Sequence, residues 1–230
     1  MLTHLDSTEF DEGARALIGA MDALRAQRET QRYKRHSYRL VPIRATRVLD
    51  VGCGTGDDVL AMAERCGPTT EVVGLERRAA LVVEANRRAR NVALNVHFME
   101  GDARAMPFTD RAFDVVRADR LLDEVDDKDR VIAELVRVVR PGGRVVVLDR
   151  ARLSAPRVRA CAFARRARAK KRDFVLLLLC SGLVDVKVEH RWTSVDATDG
   201  ATLEGLTVVG TRPDGPVATR SDGAGEGTHV

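Results

Sequence analysis

The chain has 230 residues, of which 44% are hydrophobic and only 4% are aromatic. That length and composition predict a single globular domain whose core is built from Val, Leu, Ile and Ala. No apolar run approaches the roughly 18 residues that a membrane-spanning helix needs, and the first residues lack the basic and apolar regions of a signal peptide. We therefore expect a cytoplasmic protein that makes no membrane contact.

The cysteines and the charges narrow the class further. The four cysteines are far apart in the sequence, which favours free thiols and predicts no metal site. The net charge is +4, yet residues 25–47 and residues 157–172 each hold eight basic residues. Segments of this kind attract anionic partners.

The first predicted element in chain order is an amphipathic helix over residues 8–28, where apolar residues recur at helical spacing. A basic stretch with two tyrosines follows, and we assign residues 1–44 to an N-terminal helical cap. Strands and helices then alternate, which is typical of a parallel sheet with helices on both faces. Strands are predicted at 46–51, 71–75, 96–99, 112–117 and 144–149, and helices at 59–65, 79–90 and 129–140.

The pattern changes after the fifth strand. Residues 155–181 are expected to be helical, and strands at 184–192 and 203–211, separated by a polar turn, are expected to pair antiparallel. Residues 213–230 hold almost no large apolar side chain, which predicts a disordered tail. The predicted fold class is α/β, with a doubly wound, mostly parallel seven-stranded sheet and an antiparallel last strand, and it occupies residues 45–212.

The first predicted strand runs into a glycine loop, Gly52-Cys53-Gly54-Thr55-Gly56, and a helix follows. Glycines there permit a sharp turn and the close approach of a ligand to the backbone. A structural turn or a dinucleotide site is the alternative interpretation. The dinucleotide fingerprint Gly-x-Gly-x-x-Gly is not met, however, because Asp57 occupies its last position. Asp50, just before the loop, also suits a cationic ligand better than a pyrophosphate.

Two further acids follow the next two predicted strands. Glu76 ends the second strand, where a carboxylate can bind ribose hydroxyls. Asp102 follows the third strand, where a carboxylate and the next backbone N–H can bind an adenine edge. Each acid alone is more often a solvated loop residue. With Asp50, however, they place three carboxylates at the carboxyl ends of three successive strands, where open α/β sheets bind ligands.

These motifs resemble the class I methyltransferase family, and in particular its type-11 group of small-molecule and quinone methyltransferases. The resemblance runs from about Arg47 to Asp149 and rests on VLDVGCGTG, the acid in VVGLE, EGDARAMPFTDRAFDVV and ELVRVVRPGGRVVVLD. It implies a Rossmann-like fold, S-adenosylmethionine as the cofactor, and methyl transfer to a small molecule, expected in secondary metabolism. The cofactor-binding residues that it implies are Asp50, Gly52, Cys53, Gly54 and Gly56 around the methionine part, Glu76 at the ribose with Arg77 beside it, Asp102 and Ala103 at adenine, and Ala118 and Asp119 near the sulfonium.

The chain departs from the resembled family at two positions. Glu124 stands where many relatives carry a histidine, so no histidine base is evident beside the cofactor. Arg77 stands where a small residue is usual, and it either covers the adenine face or points to water. The catalytic candidates are Glu124 and His36, because His36 lies in the segment that relatives fold over the cofactor.

The acceptor half of the site is expected to come from the two basic segments, since they are the only long segments outside the motifs. Tyr33 and Tyr38 in the first segment, and Arg157 and Arg165 in the second, are the candidate acceptor-binding residues. Their chemistry predicts an acceptor that carries a carboxylate, a phosphate or an ionisable phenol. A solvated helix is the alternative for residues 157–172.

Two other functions stay open at this point. The basic segments also suggest an RNA methyltransferase, although no stacking-aromatic motif is visible. A protein of the same fold that binds the cofactor but catalyses a cyclisation would carry the same motifs, because fold does not fix function. The sequence is compatible with a monomer and with a homodimer.

Overall fold

The computed structural model describes residues 12–150, 174–195 and 202–215 of the chain. The strands in these residues are β1 (Arg47–Val51), β2 (Glu71–Glu76), β3 (Val96–Glu100), β4 (Phe113–Asp119), β5 (Val139–Arg150), β6 (Val184–Val195) and β7 (Thr202–Thr211). The helices are α1 (Glu12–Ala26), α2 (Arg28–Arg39), α3 (Asp57–Cys66), α4 (Ala79–Ala89), α5 (Lys128–Val138) and α6 (Phe174–Cys180). A short 3-10 turn, Leu122–Glu124, follows β4.

The seven strands form one sheet in the order β3-β2-β1-β4-β5-β7-β6. The first five strands pair parallel with one another. β7 runs antiparallel to both of its neighbours, β5 and β6. The predicted α/β class is confirmed, with a mostly parallel sheet and an antiparallel last strand.

Each face of the sheet has its own apolar core. On one face α5 buries a stripe that includes Ile132 and Leu135, and Asp127 caps the start of this helix by accepting from a backbone N–H at 3.1 Å. On the other face α2 and α3 pack Tyr33 and Met62 over the strands. Because helices cover both faces, a ligand site is expected at the strand ends.

The N-terminal cap consists of two helices that play different parts. α1 buries none of its residues fully. α2 is the basic stretch with two tyrosines, and it contacts both α3 and β6. Its buried residues are Thr30, Tyr33, Lys34, Ser37 and Tyr38. The single helix predicted at 8–28 is therefore followed by a second one, and this second helix belongs to the core.

The predicted helix at 129–140 ends earlier, at Val138. The guanidinium of Arg212 lies at this end, where Nη1 donates to three backbone carbonyl oxygens at 2.6 to 2.9 Å. These bonds satisfy carbonyls that a helix end leaves without partners. Pro141, Gly142 and Gly143, which follow the predicted helix in the sequence, lie inside β5.

Two predictions fall partly outside the described residues. Of the helix expected at 155–181 the structure describes α6, and of the tail expected at 213–230 it describes residues 213–215. The division into a cap, a domain and a tail therefore stays a prediction. Within the described ranges, no helix is both long enough and apolar enough to cross a membrane.

Candidate functional site

A cavity of about 490 Å³ lies at the carboxyl ends of the parallel strands. The glycine loop after β1 forms its first wall, and the residues that follow β2 and β3 form the second. The residues after β4 form the third wall, and one side of α1 forms the fourth. An open α/β sheet binds its ligands at this edge.

The glycine loop takes its shape from left-handed backbone angles. Gly52 and Gly54 have φ values of 74° and 55°, a region in which residues with a Cβ are uncommon. The N–H groups of Gly52 and Cys53 donate to the carbonyl oxygen of Leu75 at 2.7 and 3.1 Å, which ties the loop to the end of β2. A Cβ on Gly54 would clash with the methyl group at the flexible end of the Met21 side chain, which reaches the loop from α1. The loop therefore needs glycine for its conformation.

Glu76 joins the end of β2 to the glycine loop. One carboxylate oxygen accepts from the Gly54 N–H at 3.2 Å, and the other accepts from the Arg78 N–H at 2.9 Å. The side chain is nearly buried and borders the cavity. A carboxylate fixed in this way can accept further hydrogen bonds from two neighbouring hydroxyl groups of a ribose.

Asp102 reaches the same cavity from the loop after β3. The Arg104 side chain donates hydrogen bonds of 2.6 to 3.0 Å to the Asp102 carboxylate, and the Arg104 backbone N–H donates another at 2.8 Å. These hydrogen bonds lower the pKa of Asp102 to about 2, so the group is ionised at neutral pH. An adenine amino group would share this carboxylate with Arg104, while the neighbouring Ala103 is nearly buried.

α1 turns its apolar stripe toward the cavity and is held there by ion pairs. Arg88 of α4 binds Asp22 at 2.9 Å and Asp57 at 2.7 Å. Arg25 pairs with the same Asp57 from the other side. Ion pairs therefore hold α1 in place, since none of its residues is fully buried. Its apolar residues at the cavity are Leu17, Ala20, Met21 and Leu24.

Beneath the third wall, α2 and the sheet share a buried network of charges. Arg117 of β4 is its centre, and its side chain has no exposed surface. It donates to Asp50 at 2.7 Å and to Asp119 at 3.0 Å, and it lies 3.1 Å from Asp58. Lys34 of α2 lies 2.5 Å from Asp58 and 2.9 Å from Asp119. Buried charges are tolerated when they are paired in this way.

The network also sets the protonation of its carboxyl groups. Burial raises the pKa of Asp50 to about 6, and the charge of Arg117 opposes this only in part. Burial acts in the same direction on Asp58 and Asp119, but Lys34 and Arg117 outweigh it and hold the pKa of both below the usual value. Asp50 is therefore the first carboxyl group of the network to take up a proton as the pH falls.

Eight of the eleven predicted cofactor-binding residues border the cavity. Asp50 does not, because its carboxylate is paired with Arg117 below the loop. Gly56 starts α3, where a Cβ would clash with Phe98, and Ala118 is buried in β4. Direct cofactor contact stays a prediction for all eleven residues. The eight at the cavity are Gly52, Cys53, Gly54, Glu76, Arg77, Asp102, Ala103 and Asp119.

The two catalytic candidates lie in different places. Glu124 lines the cavity, within reach of a bound ligand. His36 stacks on His190 of β6 with 4.6 Å between ring centroids and is not among the cavity-lining residues that the structure describes. Its Nε2 is buried and makes no hydrogen bond with the described residues.

The acceptor candidates are also separated. Tyr38 donates its hydroxyl proton to Asp58 at 2.7 Å, which places it in the buried network. Tyr33 stacks on Trp192 of β6 with 4.2 Å between ring centroids. Arg157 and Arg165 lie outside the described residues.

Sequence reasoning did not identify Lys34, Asp58 and Arg120, which also line the cavity. A signal was present in β4, because Arg117 interrupts an apolar strand, and a charge in the centre of a sheet needs a buried partner. Lys34 gave no such signal, since it is one of eight basic residues in its segment.

Comparison with known proteins assigns a family to this site. Residues 44–173 match the family described as "Methyltransferase domain". The chain belongs to this methyltransferase family. A demethylmenaquinone methyltransferase of Thermus thermophilus is 43% identical over 103 residues, which cover 45% of this chain and 46% of that protein. The ubiquinone/menaquinone biosynthesis C-methyltransferase UbiE of Pseudomonas putida is 38% identical over 149 residues, which cover 64% and 55% of the two chains.

The matches span about half the length of these curated relatives. Among solved structures, the [4+2]-cyclase SpnF aligns with a TM-score of 0.61 and 21% identity over 81% of this methyltransferase and 83% of that chain. At this identity the likeness concerns the fold. Together with the family match, it confirms the class I methyltransferase resemblance and makes S-adenosylmethionine the cofactor.

The residues of this methyltransferase fit that cofactor. The volume of the cavity is in the range of pockets that bind small molecules of comparable size. The glycine loop borders the cavity with its backbone, and the carboxylate of Glu76 is available there to accept from a ribose. Asp119 Oδ1 is buried and makes no hydrogen bond with the described residues, so it can accept from an ammonium group. Carboxylates at Glu76 and Asp119 also favour a ligand that carries positive charge.

Proposed function

We propose that this methyltransferase transfers a methyl group from S-adenosylmethionine to a small hydroxylated aromatic acceptor of the quinol type. The observation that carries the proposal is the meeting of the glycine loop, Glu76 and Asp102 in one cavity that α1 covers. The names of the relatives support the quinol class, because they are methyltransferases of quinone biosynthesis. A role in secondary metabolism and a cytoplasmic location stay predictions.

Each wall has its own part in holding the cofactor. Glu76 accepts hydrogen bonds from the ribose, and Asp102 with the Ala103 N–H binds adenine. Asp119 Oδ1, which makes no hydrogen bond with the described residues, would accept from the methionine ammonium. The bound cofactor supplies a methyl group that is already activated on a sulfonium. The protein therefore needs no group of its own to activate the methyl carbon.

Methyl transfer is an in-line displacement, in which the acceptor forms a bond to the methyl carbon while the carbon–sulfur bond breaks and its electron pair stays on sulfur. The protein has to align the acceptor and to exclude water. Met21 and Leu24 of α1 contribute apolar cover over the cavity. A dedicated base is not required when the acceptor is already ionised. Glu124 is the residue placed to receive a proton otherwise.

The structure favours a small acceptor over RNA. Among the described residues, none that line the cavity is aromatic, whereas proteins that bind single-stranded RNA stack its bases on aromatic rings. A cyclisation without methyl transfer uses the same fold in SpnF. No described residue favours it here, and product analysis separates the two reactions.

The test uses S-adenosylmethionine carrying a labelled methyl group, with a reduced naphthoquinone, a simple phenol and RNA as acceptors. We expect micromolar cofactor binding, equivalent to about −8 kcal/mol, no binding of NAD, and label in the naphthoquinol. The Glu76→Ala variant serves as the control for a contaminating activity. Label in RNA, or a product without label, would contradict the proposal.

A further inference from the structure

Two buried donor groups lie without hydrogen bonds beside the third wall of the cavity. The hydroxyl group of Tyr33 and the Nε of Arg120 make none with the residues that the structure describes. Buried polar groups in native proteins are nearly always hydrogen-bonded, so each exception requires an explanation. Both groups can donate a hydrogen bond, which points to a ligand that accepts two.

Arg120 is fixed at this position by its backbone. Its φ of 52° lies in the left-handed region, where a residue other than glycine is uncommon and often marks a functional site. Its N–H donates to the carbonyl oxygen of Leu148 at 2.7 Å, so the turn after β4 is anchored to β5. The side chain is 27% exposed, and Nε lies 3.7 Å from Asp119 Oδ1, which is too far for a hydrogen bond.

Tyr33 lies on α2, close enough to Arg120 for the charge of the guanidinium to act on its hydroxyl group. The residue has no exposed surface, and its ring stacks on Trp192. Burial and then the charge of Asp119 raise the pKa of Tyr33, while the charge of Arg120 lowers it in part. The phenol therefore keeps its proton and acts as a donor, within electrostatic reach of Arg120.

A second opening leads to this pair. Tyr33 borders a groove of about 430 Å³ between α2 and the β6–β7 pair. Leu206, also in the groove, pairs with Asp149 at the carboxyl end of β5. The groove therefore opens at the same edge of the sheet as the cofactor cavity, which Arg120 lines. Tyr33 borders the groove and Arg120 borders the cofactor cavity.

We propose that Arg120 and Tyr33 hold an ionised oxygen of the methyl acceptor, the phenolate of a planar ring that enters through this groove. A phenolate oxygen can accept from the guanidinium and from the tyrosine hydroxyl at once, beside the ion pair that Arg120 makes with Asp119. Its negative charge also makes the oxygen and the neighbouring ring carbons nucleophilic. The pair is thus a specificity site for ionisable phenols over neutral ethers, and this inference rests on the proposed function.

The test uses 4-nitrophenol, which is yellow only when it is ionised. The protein is first saturated with S-adenosylhomocysteine, whose affinity is measured by calorimetry in the same samples. Bound probe should ionise at a lower pH than free probe, because the ammonium group of S-adenosylhomocysteine then compensates Asp119 and the opposite charge of Arg120 favours the ionised form. Trp192 is the only tryptophan of the chain and stacks on Tyr33, so its fluorescence should be quenched by the same titration.

Three variants separate the possible explanations. Arg120→Gln should abolish the shift in probe ionisation, and calorimetry in the same samples measures any change in its affinity for S-adenosylhomocysteine, because Arg120 also lines the cofactor cavity. Tyr33→Phe keeps the ring on Trp192 and removes only the unpaired hydroxyl group, so it should reduce the shift without loss of folding. Arg111→Gln is the matched control, since Arg111 also has a left-handed φ, of 61°, but is exposed in the loop before β4.

A wild-type protein that binds S-adenosylhomocysteine but does not shift the probe would overturn this inference and leave the proposed function standing. A shift that persists in Arg120→Gln would also overturn it. If Arg120→Gln instead loses tenfold or more in affinity for S-adenosylhomocysteine and keeps the probe shift, Arg120 binds the carboxylate of the cofactor. Failure to bind S-adenosylhomocysteine at all would count against the proposed function itself.

Discussion

Two walls of the same cavity are built in opposite ways. The glycine-loop wall is a short run of consecutive residues whose backbone shape leaves room for a ligand, with Glu76 as its one buried acid. The wall over β4 is built from charges that come from separate elements, and Arg117 and Asp50 are 67 residues apart in sequence. Changes in the glycine-loop wall should therefore lower the affinity for the cofactor, and changes in the buried charges beneath the β4 wall should lower the free energy of unfolding.

The largest effect is expected at Arg117. In Arg117→Met the carboxylates of Asp50, Asp58 and Asp119 lose their central cation, and breaking a buried ion pair costs about 3–5 kcal/mol. We expect the free energy of unfolding in urea to fall by that amount. Arg140→Met is the control, because Arg140 pairs with Asp114 at 2.5 Å but is half exposed, and such pairs contribute less than about 1 kcal/mol. Equal losses in the two variants would contradict the distinction between the walls.

Gly54→Val should act on the ligand instead. The added side chain would project from the loop at the cavity and displace the Met21 methyl group, and we expect at least a hundredfold loss of affinity for S-adenosylhomocysteine, equivalent to about 2.7 kcal/mol. Gly67→Val is the matched control. Gly67 also has a positive φ, of 89°, but no atom lies within 4 Å of its added Cβ. Calorimetry should find its affinity unchanged while its stability falls.

A smaller loss of affinity is expected in Glu76→Ala. The variant removes the acceptor for the ribose and also the bond that holds the Gly54 N–H, so binding should weaken by about 1–3 kcal/mol. Glu100→Ala is the comparison, because Glu100 stands beside Glu76 in the sheet register but is exposed. If both variants bind S-adenosylhomocysteine like the wild type, the ribose lies elsewhere.

The smallest effect concerns Glu84, which pairs with the same Arg88 that binds Asp22 of α1, and it depends on pH. Hydrogen bonds from Arg87 and Arg88, partly opposed by burial, lower the pKa of Glu84 from 4.5 to about 2. A lowered carboxyl pKa stabilises the protein above pH 4.5, and that contribution is lost as the pH falls toward about 2. Because Arg87 is largely exposed, solvent screening reduces the contribution of the Glu84 carboxylate to the free energy of unfolding to about 1 kcal/mol.

Glu84→Gln should therefore be less stable than the wild type at pH 7, and the difference should narrow below pH 4.5. Urea unfolding at several pH values measures this difference. Glu64→Gln changes an exposed glutamate of α3 and should show no such trend. A difference between Glu84→Gln and the wild type that stays constant with pH would show that Glu84 acts by packing and not by charge.

The glycine-loop wall was predictable because its signals are local. Gly52, Gly54 and Glu76 lie within a strand–turn–helix–strand run in which alternating apolar residues fix where each strand ends. Once the strand ends were placed, the acids had to meet at one edge. The antiparallel β7 was predictable because no helix separates the last two predicted strands.

The β4 wall was not predictable in the same way. Whether Asp50 faces a ligand or Arg117 depends on the register of β1 against β4, which no local pattern gives. The end of α5 depends likewise on Arg212, more than seventy residues farther along the chain. Contacts of this range come from the fold as a whole and not from propensity.

α1 buries none of its residues fully, and its apolar side chains face the cavity. A ligand in the cavity therefore completes the apolar contacts of α1, and part of its binding free energy orders this helix. A ligand present at one hundred times its Kd stabilises the bound form by about 2.7 kcal/mol, and hydrogen exchange should record part of that gain in the amides of α1. The product then leaves when α1 moves away from the cavity. The turnover rate of the enzyme would therefore depend on the strength of the ion pair between Arg88 and Asp22.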